Sequence, residues 1–119
     1  MRPCFLIPET TVQKSGSGEV VEIGEGGGMA LLSLGITHVE EQQSLDVEIE
    51  GSADGEEWAG KPLRAFPQKF YTGVWQVLCD LSASSDVRFL RVSYKVARWG
   101  VGPTTPRFRF YVFAEPYVT

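Results

Sequence analysis

The chain has 119 residues, with fifteen acids against eleven bases and a single histidine, for a net charge of −4. That length suits one domain able to bury well over half of the surface its unfolded chain exposes. No run of eighteen apolar residues marks a membrane helix, one histidine and two distant cysteines cannot make a zinc set, and the acidic balance argues against a phosphate-binding footprint.

Met1 is followed by RPCFLIPET, with no long apolar core of a signal peptide. The expectation is synthesis and retention in a reducing cytoplasm, with Cys4 and Cys79 acting as small buried hydrophobes. Thirteen glycines, seven prolines and fourteen aromatics lean towards short strands and tight turns.

The first predicted strand is Cys4 to Ile7, bounded by Pro3 and Pro8 as an edge strand would be. Thr10 to Lys14 reads as a second β-prone piece, Lys14 to Gly18 as a turn, and Glu19 to Ile23 as a third piece. The cluster Gly24-Glu-Gly-Gly-Gly28 resembles a nucleotide loop only superficially. It lacks both the helix that follows a dinucleotide fingerprint and the Gly-Lys-Ser/Thr of a Walker loop. Glycines between strands instead predict a hairpin with positive φ.

Met29 to Val39 alternates, with Ala30, Leu32, Leu34 and Ile36 on a core face. His38, at its end and without a Ser or Cys partner motif, reads as a satisfied structural group. Glu40 to Ser44 is predicted as a solvated hairpin connection. Leu45 to Trp58, LDVEIEGSADGEEW, is the clearest stretch: Leu45, Val47 and Ile49 share one face and Asp46, Glu48 and Glu50 the other, before an Asp-Gly turn.

Ala59 to Gly73 is the least periodic part, predicted as a structured loop with a short strand around Lys69 to Tyr71. Trp75 to Leu81 is a strand with Trp75, Val77, Cys79 and Leu81 inward. Val87 to Arg98 places Leu90, Val92, Tyr94 and Val96 on one side and a basic face on the other. Trp99 to Pro106 is predicted as a long hairpin loop. The last strand, Arg107 to Ala114, sends Phe108, Phe110 and Val112 inward and Arg109, Tyr111 and Phe113 outward. Eight or nine short strands without a major helix predict one all-β domain, an antiparallel two-sheet sandwich of jelly-roll-like kind, over 1–119.

Charge is unevenly distributed along the chain. Residues 1–58 hold twelve of the fifteen acids and only Arg2 and Lys14, while residues 59–119 hold nine bases and three acids. Either acidic strands of the first half pair with basic strands of the second, or an acidic face of one subunit meets a basic face of the next.

Eight carboxylates lie between Glu40 and Glu57, yet Asp46, Glu48 and Glu50 alternate outward on a strand, where nothing desolvates one of them into a general acid. They read as an acidic face that deters edge-to-edge pairing. No catalytic residue, metal ligand or cofactor is expected. Trp58, Phe66, Tyr71, Arg98, Trp99 and Tyr111 are the candidate contacts for a ligand or partner, because rings near loop ends can stack on a sugar or anchor a protein. Trp58 and Trp99 have a second reading as caps over the open ends of the sandwich.

Ser52-Ala-Asp-Gly-Glu-Glu-Trp58 resembles the Ser-x-Asp-Gly-x-x-Trp signature of discoidin-like (F5/8 type C, galactose-binding-like) jelly rolls. Val87-Arg-Phe-Leu-Arg-Val92 resembles their aromatic-flanked Arg-Tyr-Val/Leu-Arg-Ile strand, and the likeness covers residues 45–95. It implies a carbohydrate-binding module. The whole plan, ending in Pro-x-Phe-x-Phe-x-Val, is also similar to small β-sandwich proteins of phage and prophage structural regions, which implies assembly and association with a virion. The expected function is a non-catalytic interaction or assembly module, with a protein partner or self-association, carbohydrate as the alternative ligand, and neither nucleic acid nor membrane.

Overall fold

The computed structural model describes residues 2–24, 28–40, 43–58, 60–82, 86–98 and 107–117. Nine strands follow one another: β1 (Cys4–Val12), β2 (Gly16–Ser17), β3 (Val21–Glu22), β4 (Met29–Val39), β5 (Gln43–Ser52), β6 (Arg64–Ala65), β7 (Gly73–Asp80), β8 (Phe89–Arg98) and β9 (Phe108–Tyr117). They form two antiparallel sheets, one of four strands in the order β1-β9-β4-β7 and one of five in the order β2-β8-β5-β6, with β3 also on β8. The first is called here the β4–β9 sheet and the second the β5–β8 sheet. The all-β, two-sheet sandwich expected from the strand count is the fold.

Alternation places the core. Leu6 and Ile7 of β1, Leu32, Leu34 and Ile36 of β4, and Phe108, Phe110 and Val112 of β9 meet Leu45, Val47 and Ile49 of β5 and Leu90 and Val92 of β8. Each such side chain taken out of water contributes about 1.5–3 kcal/mol. Tyr94 and Phe110 bridge the two layers edge to face, with ring centroids 5.4 Å apart. Phe66, expected at a loop end as a contact residue, is only 4% exposed and belongs to this core.

Connectivity departs from the hairpin reading. The chain moves to the other sheet at nearly every connection: β1 lies in the β4–β9 sheet, β2 and β3 in the other, β4 back in the first, β5 and β6 in the second, and β7, β8 and β9 alternate again. The strands flanking the glycine cluster, β3 and β4, and those flanking Glu40 to Gln42, β4 and β5, therefore lie in different sheets and do not pair as hairpins; 25–27 and 41–42 lie outside the described residues. Gly24 and Gly28 do take positive φ, 72° and 91°. Trp99 to Pro106 lies outside the described residues, and the strands flanking it, β8 and β9, are in different sheets.

Three local expectations are also corrected. Residues 4–12 form one strand: Pro8 sits in an irregular stretch where the pairing with β9 shifts between Ile7 and Thr10, so the missing N–H interrupts the ladder without ending the strand. The expected turn at Lys14 to Gly18 contains β2, because β8 lies alongside: Gly16 pairs with Tyr94 and Ser17 with Ser93, and on either side the Gly18 N–H donates to Val92 O at 2.8 Å and the Ser15 hydroxyl accepts the Val96 N–H at 3.0 Å. The short strand of the 59–73 segment is Arg64–Ala65. Lys69 only bridges Leu45, through bonds of 2.9 and 3.0 Å, because Pro67 between them cannot donate.

Candidate functional site

The outer faces of the two sheets differ in chemistry. On the β5–β8 sheet, Asp46 pairs with Lys95, Glu48 with Ser93 and Glu50 with Arg91. Arg91 Nε donates to Glu50 Oε1 at 2.9 Å, and Gln68 Nε2 donates to Asp46 Oδ2 at 3.0 Å. The acidic strand thus meets the basic strand of its own chain, the first of the two accounts of the split charge. Trp58 joins this face, since the Arg91 guanidinium lies 4.2 Å from its ring centroid. Its ring therefore lies against an outward-facing residue of β8, beside Leu63 and Val87, which pack on the core.

The Ser52–Trp58 turn uses most of its polar groups internally. Ser52 Oγ accepts the Gly55 N–H at 2.9 Å, and its one proton is shared between Asp54 Oδ1 and Glu57 O. Asp54 Oδ1 accepts the N–H groups of Glu56 and Glu57, each at 2.9 Å. Gly55 takes φ of 80°, a value that side chains disfavour. The N–H groups of Glu57 and Glu56 and the Ser52 hydroxyl hold the Asp54 carboxyl below the usual carboxylate range. Ser, Asp and Gly at these spacings are what the turn itself requires.

On the β4–β9 sheet most outward positions are apolar, with the polar pair Gln76 and Ser33 crossing the middle of the face. Phe5 pairs with Phe113, Gly35 lies between Tyr111 and Val74, Leu31 pairs with Leu78, and Met29 pairs with Tyr117. Phe5 packs edge to face on Tyr111 and Phe113, with centroids 5.9 and 5.0 Å away. Val74 is 62% exposed and Phe5 51%. Because Gly35 has no side chain, Tyr111 leans over the backbone of β4, leaving a shallow groove of about 600 Å³ lined by the apolar Phe5, Pro8, Val74, Tyr111 and Phe113 and by the polar Glu9 and Ser33. Its polar rim includes the Glu9 carboxylate, 3.1 Å from Arg109 Nη2.

The candidate contacts do not gather into one place. Tyr111 lies on the apolar face, Trp58 is on the opposite sheet, and Phe66 is core. Tyr71 is 71% exposed beside Phe70, at the approach to β7. Arg98 ends β8 opposite Gln43, and Trp99 lies outside the described residues. His38 Nε2 sits 3.2 Å from Glu40 Oε1 in an exposed pair, in keeping with a structural group. Among the described residues no cluster of His, Cys, Asp and Glu is placed to hold a metal.

Phe5, Leu31, Val74 and Leu78 were not among the residues expected at a site. Their signal was the absence of alternation: Phe5-Leu6-Ile7, Met29 to Leu32, Val77-Leu78 and Tyr111-Val112-Phe113 put apolar residues at adjacent positions, hence on both faces of their strands.

Fold and surface together define a two-sheet β-sandwich with one charged outer face, on which Glu50 pairs with Arg91, and one mainly apolar outer face. No family model matches the sequence, and searches of curated proteins and of solved structures find no match.

Proposed function

We propose that this chain is a non-catalytic assembly or interaction module that docks a protein partner, a second copy of itself, on the outer face of its β4–β9 sheet. The observation that carries the reading is the contrast between the two outer faces. An antiparallel sheet normally turns a polar face to water. The β5–β8 sheet does so, whereas the β4–β9 sheet presents Phe5, Leu31, Val74, Leu78, Tyr111 and Phe113. Exposed apolar residues concentrated on one face, here interrupted by the Ser33–Gln76 pair, are the usual mark of a docking surface.

Glu50 with Arg91 and Glu9 with Arg109 join the acidic and basic halves within one chain, and docking on the β4–β9 face is driven by its exposed apolar residues. A virion-type assembly role is the form of this reading that the likeness to phage sandwiches implies. The carbohydrate alternative calls for a set of sugar-stacking rings, and Trp58, Phe66 and Tyr71 are dispersed.

Sedimentation across a concentration series tests the reading. Self-association is expected to persist or strengthen in about 1 M salt, since salt screens charges but favours apolar burial. The double variant Phe5→Ser, Phe113→Ser is expected to lose the larger species while keeping its circular dichroism. Association abolished by salt, or a chain that stays monomeric at every concentration, would overturn it.

A further inference from the structure

We infer that β7 is a pairing edge and that its occupant is β7 of a second copy of this chain, joined antiparallel about a two-fold axis at Gln76. The inference concerns an edge of the β4–β9 sheet and goes beyond the face described above.

An unprotected sheet edge offers unpaired N–H and C=O groups to any extended chain, and proteins blunt their edges for that reason. Three of the edges here are blunted. β1 carries Pro8 and two shifts in its pairing with β9. On the β5–β8 sheet, β6 is two residues long, and the other side is covered by β2 and β3 of two residues each. Such short strands give a visiting chain little to pair with.

β7 itself has none of these devices, and the lysine nearest to it, Lys69, places its Nζ over the Trp75 ring, 4.6 Å from the centroid. Its eight residues, Gly73–Asp80, pair with β4 without a register shift from Ile36 opposite Gly73 to Met29 opposite Asp80. The strand holds no proline, lysine or arginine. Among the described residues, no strand pairs with its other side. The outward residues Val74 and Leu78 are exposed along that edge.

The sequence of β7 is complementary to itself in one register. With Gln76 opposite its own copy, Val74 faces Leu78 of the second chain and Leu78 faces its Val74 on the outer side. On the inner side Trp75 faces Val77. Apolar residues meet apolar residues in both layers, and the amides of Gln76 meet each other. Asp80, the one charged residue of the strand, falls opposite Thr72. The two copies of Asp80 then lie eight ladder positions apart, about 27 Å at ~3.4 Å per residue. The paired β7 residues therefore include no like-charge pair, the arrangement that penalises a cross-strand register most. Joining the edges makes one continuous eight-stranded sheet and sets the apolar outer faces of the two copies side by side.

The test uses position 76, where an exposed side chain bonded only to Ser33 Oγ at 3.1 Å can be changed without touching the core. In the register described, Gln76→Lys brings two ammonium groups together and Gln76→Glu two carboxylates. Each variant alone is expected to weaken dimerisation by up to roughly fivefold at low salt, because like charges directly opposite repel. A one-to-one mixture of the two variants should restore it. Amide exchange over residues 73–80 should slow as wild-type concentration rises.

The series is run in the Phe5→Ser, Phe113→Ser background as well as in the wild type. A dimer that persists there and is lost on Gln76→Lys supports the edge independently of the face. Wild-type association that vanishes in that background and ignores Gln76→Lys overturns the edge and leaves the face reading standing. A mixture that fails to restore what the single variants lose overturns the two-fold register. A chain monomeric at millimolar concentration, or one whose β7 is protected only by a foreign extended peptide, overturns the second copy as occupant.

Discussion

The ring of Tyr111 occupies the space that a side chain at Gly35 would take. The two residues face each other across the ladder between β9 and β4, and a Cβ added at Gly35 would overlap the ring carbons and the phenolic oxygen. Glycine inside a strand costs conformational entropy and leaves backbone unpacked, and here a cross-strand aromatic covers it.

Gly35→Ala is therefore expected to displace Tyr111 from its place beside Phe5, destabilising the fold by about 1–3 kcal/mol as overpacking does. In a Tyr111→Ala chain the same substitution should cost less, with a coupling of about 1 kcal/mol or more between the two sites. Urea unfolding of the four chains reads this directly. Strictly additive costs would mean that the ring does not sit where the ladder puts it.

Arg91 joins two supports at once, the Glu50 carboxylate at 2.9 Å and the Trp58 ring at 4.2 Å. A hydrogen bond to a charged group contributes about 1.5–3 kcal/mol and a cation over a ring about 0.5–1 kcal/mol more. Arg91→Ala should lower stability by about 1.5–3 kcal/mol, because the half-buried Glu50 also loses its partner. Arg91→Lys should recover less than half of that, since an ammonium cannot bond the carboxylate and lie flat on the indole together. Full recovery by lysine would show that only charge matters at this position.

How much of this was legible in the chain depended on whether the cause was local. Leu45, Val47 and Ile49, or Phe108, Phe110 and Val112, announce their buried face by period alone, and β4 was readable from end to end. The partners of the strands were not readable. Hairpin logic assumes that neighbours in sequence pair, whereas β4 pairs with β9 and β7, and β5 with β8. β2 exists because β8 lies beside Gly16 and Ser17, and nothing in Ser-Gly-Ser-Gly favours a strand.

The apolar face was half legible. Tyr111 and Phe113 were read as outward, but Phe5, Leu31, Val74 and Leu78 lay next to residues already assigned to the core. An alternation argument assigns one face and is silent on what the other meets. The loop aromatics attracted attention for their chemistry, yet Phe66 fills the interior and Trp58 supports Arg91.

The Ser52–Glu57 turn gives stability a pH dependence. Asp54 is held below its usual value of 3.8 by the N–H groups of Glu57 and Glu56 and by the Ser52 hydroxyl, and Asp80 is lowered by the hydroxyl and N–H of Ser82. A carboxyl whose folded pKa is depressed binds fewer protons when folded than when unfolded. Its contribution is present above about pH 4 and is lost as pH falls through the lower, folded value. Wild-type stability should therefore decline on acidification below pH 4. Asp54→Asn should flatten that decline, and Asp54→Asn with Asp80→Asn should flatten it further. An acid limb unchanged in the double variant would show that neither carboxylate is held as described.

The two thiols test the sheet order itself. Cys4 pairs with Ala114, Ala114 with Leu32, and Leu32 with Val77, which places Cys4 and the β7 strand of Cys79 at opposite edges of one sheet. Three strand spacings amount to about 14 Å, twice the roughly 7 Å beyond which two Cα atoms cannot be bridged. Both thiols are free, and burial raises the pKa of each, which keeps both protonated and slow to react near neutral pH. Cys79 is buried to 2% exposure while Cys4 is partly open. An alkylating reagent should modify Cys4 first, faster as pH rises, and reach Cys79 only through unfolding, so that the Cys79 rate rises with urea and the Cys4 rate far less. Mass spectrometry after timed alkylation separates the two. A mild oxidant should give no intramolecular disulfide while the chain stays folded; formation of one with the circular dichroism unchanged would place β1 and β7 side by side and refute the order β1-β9-β4-β7.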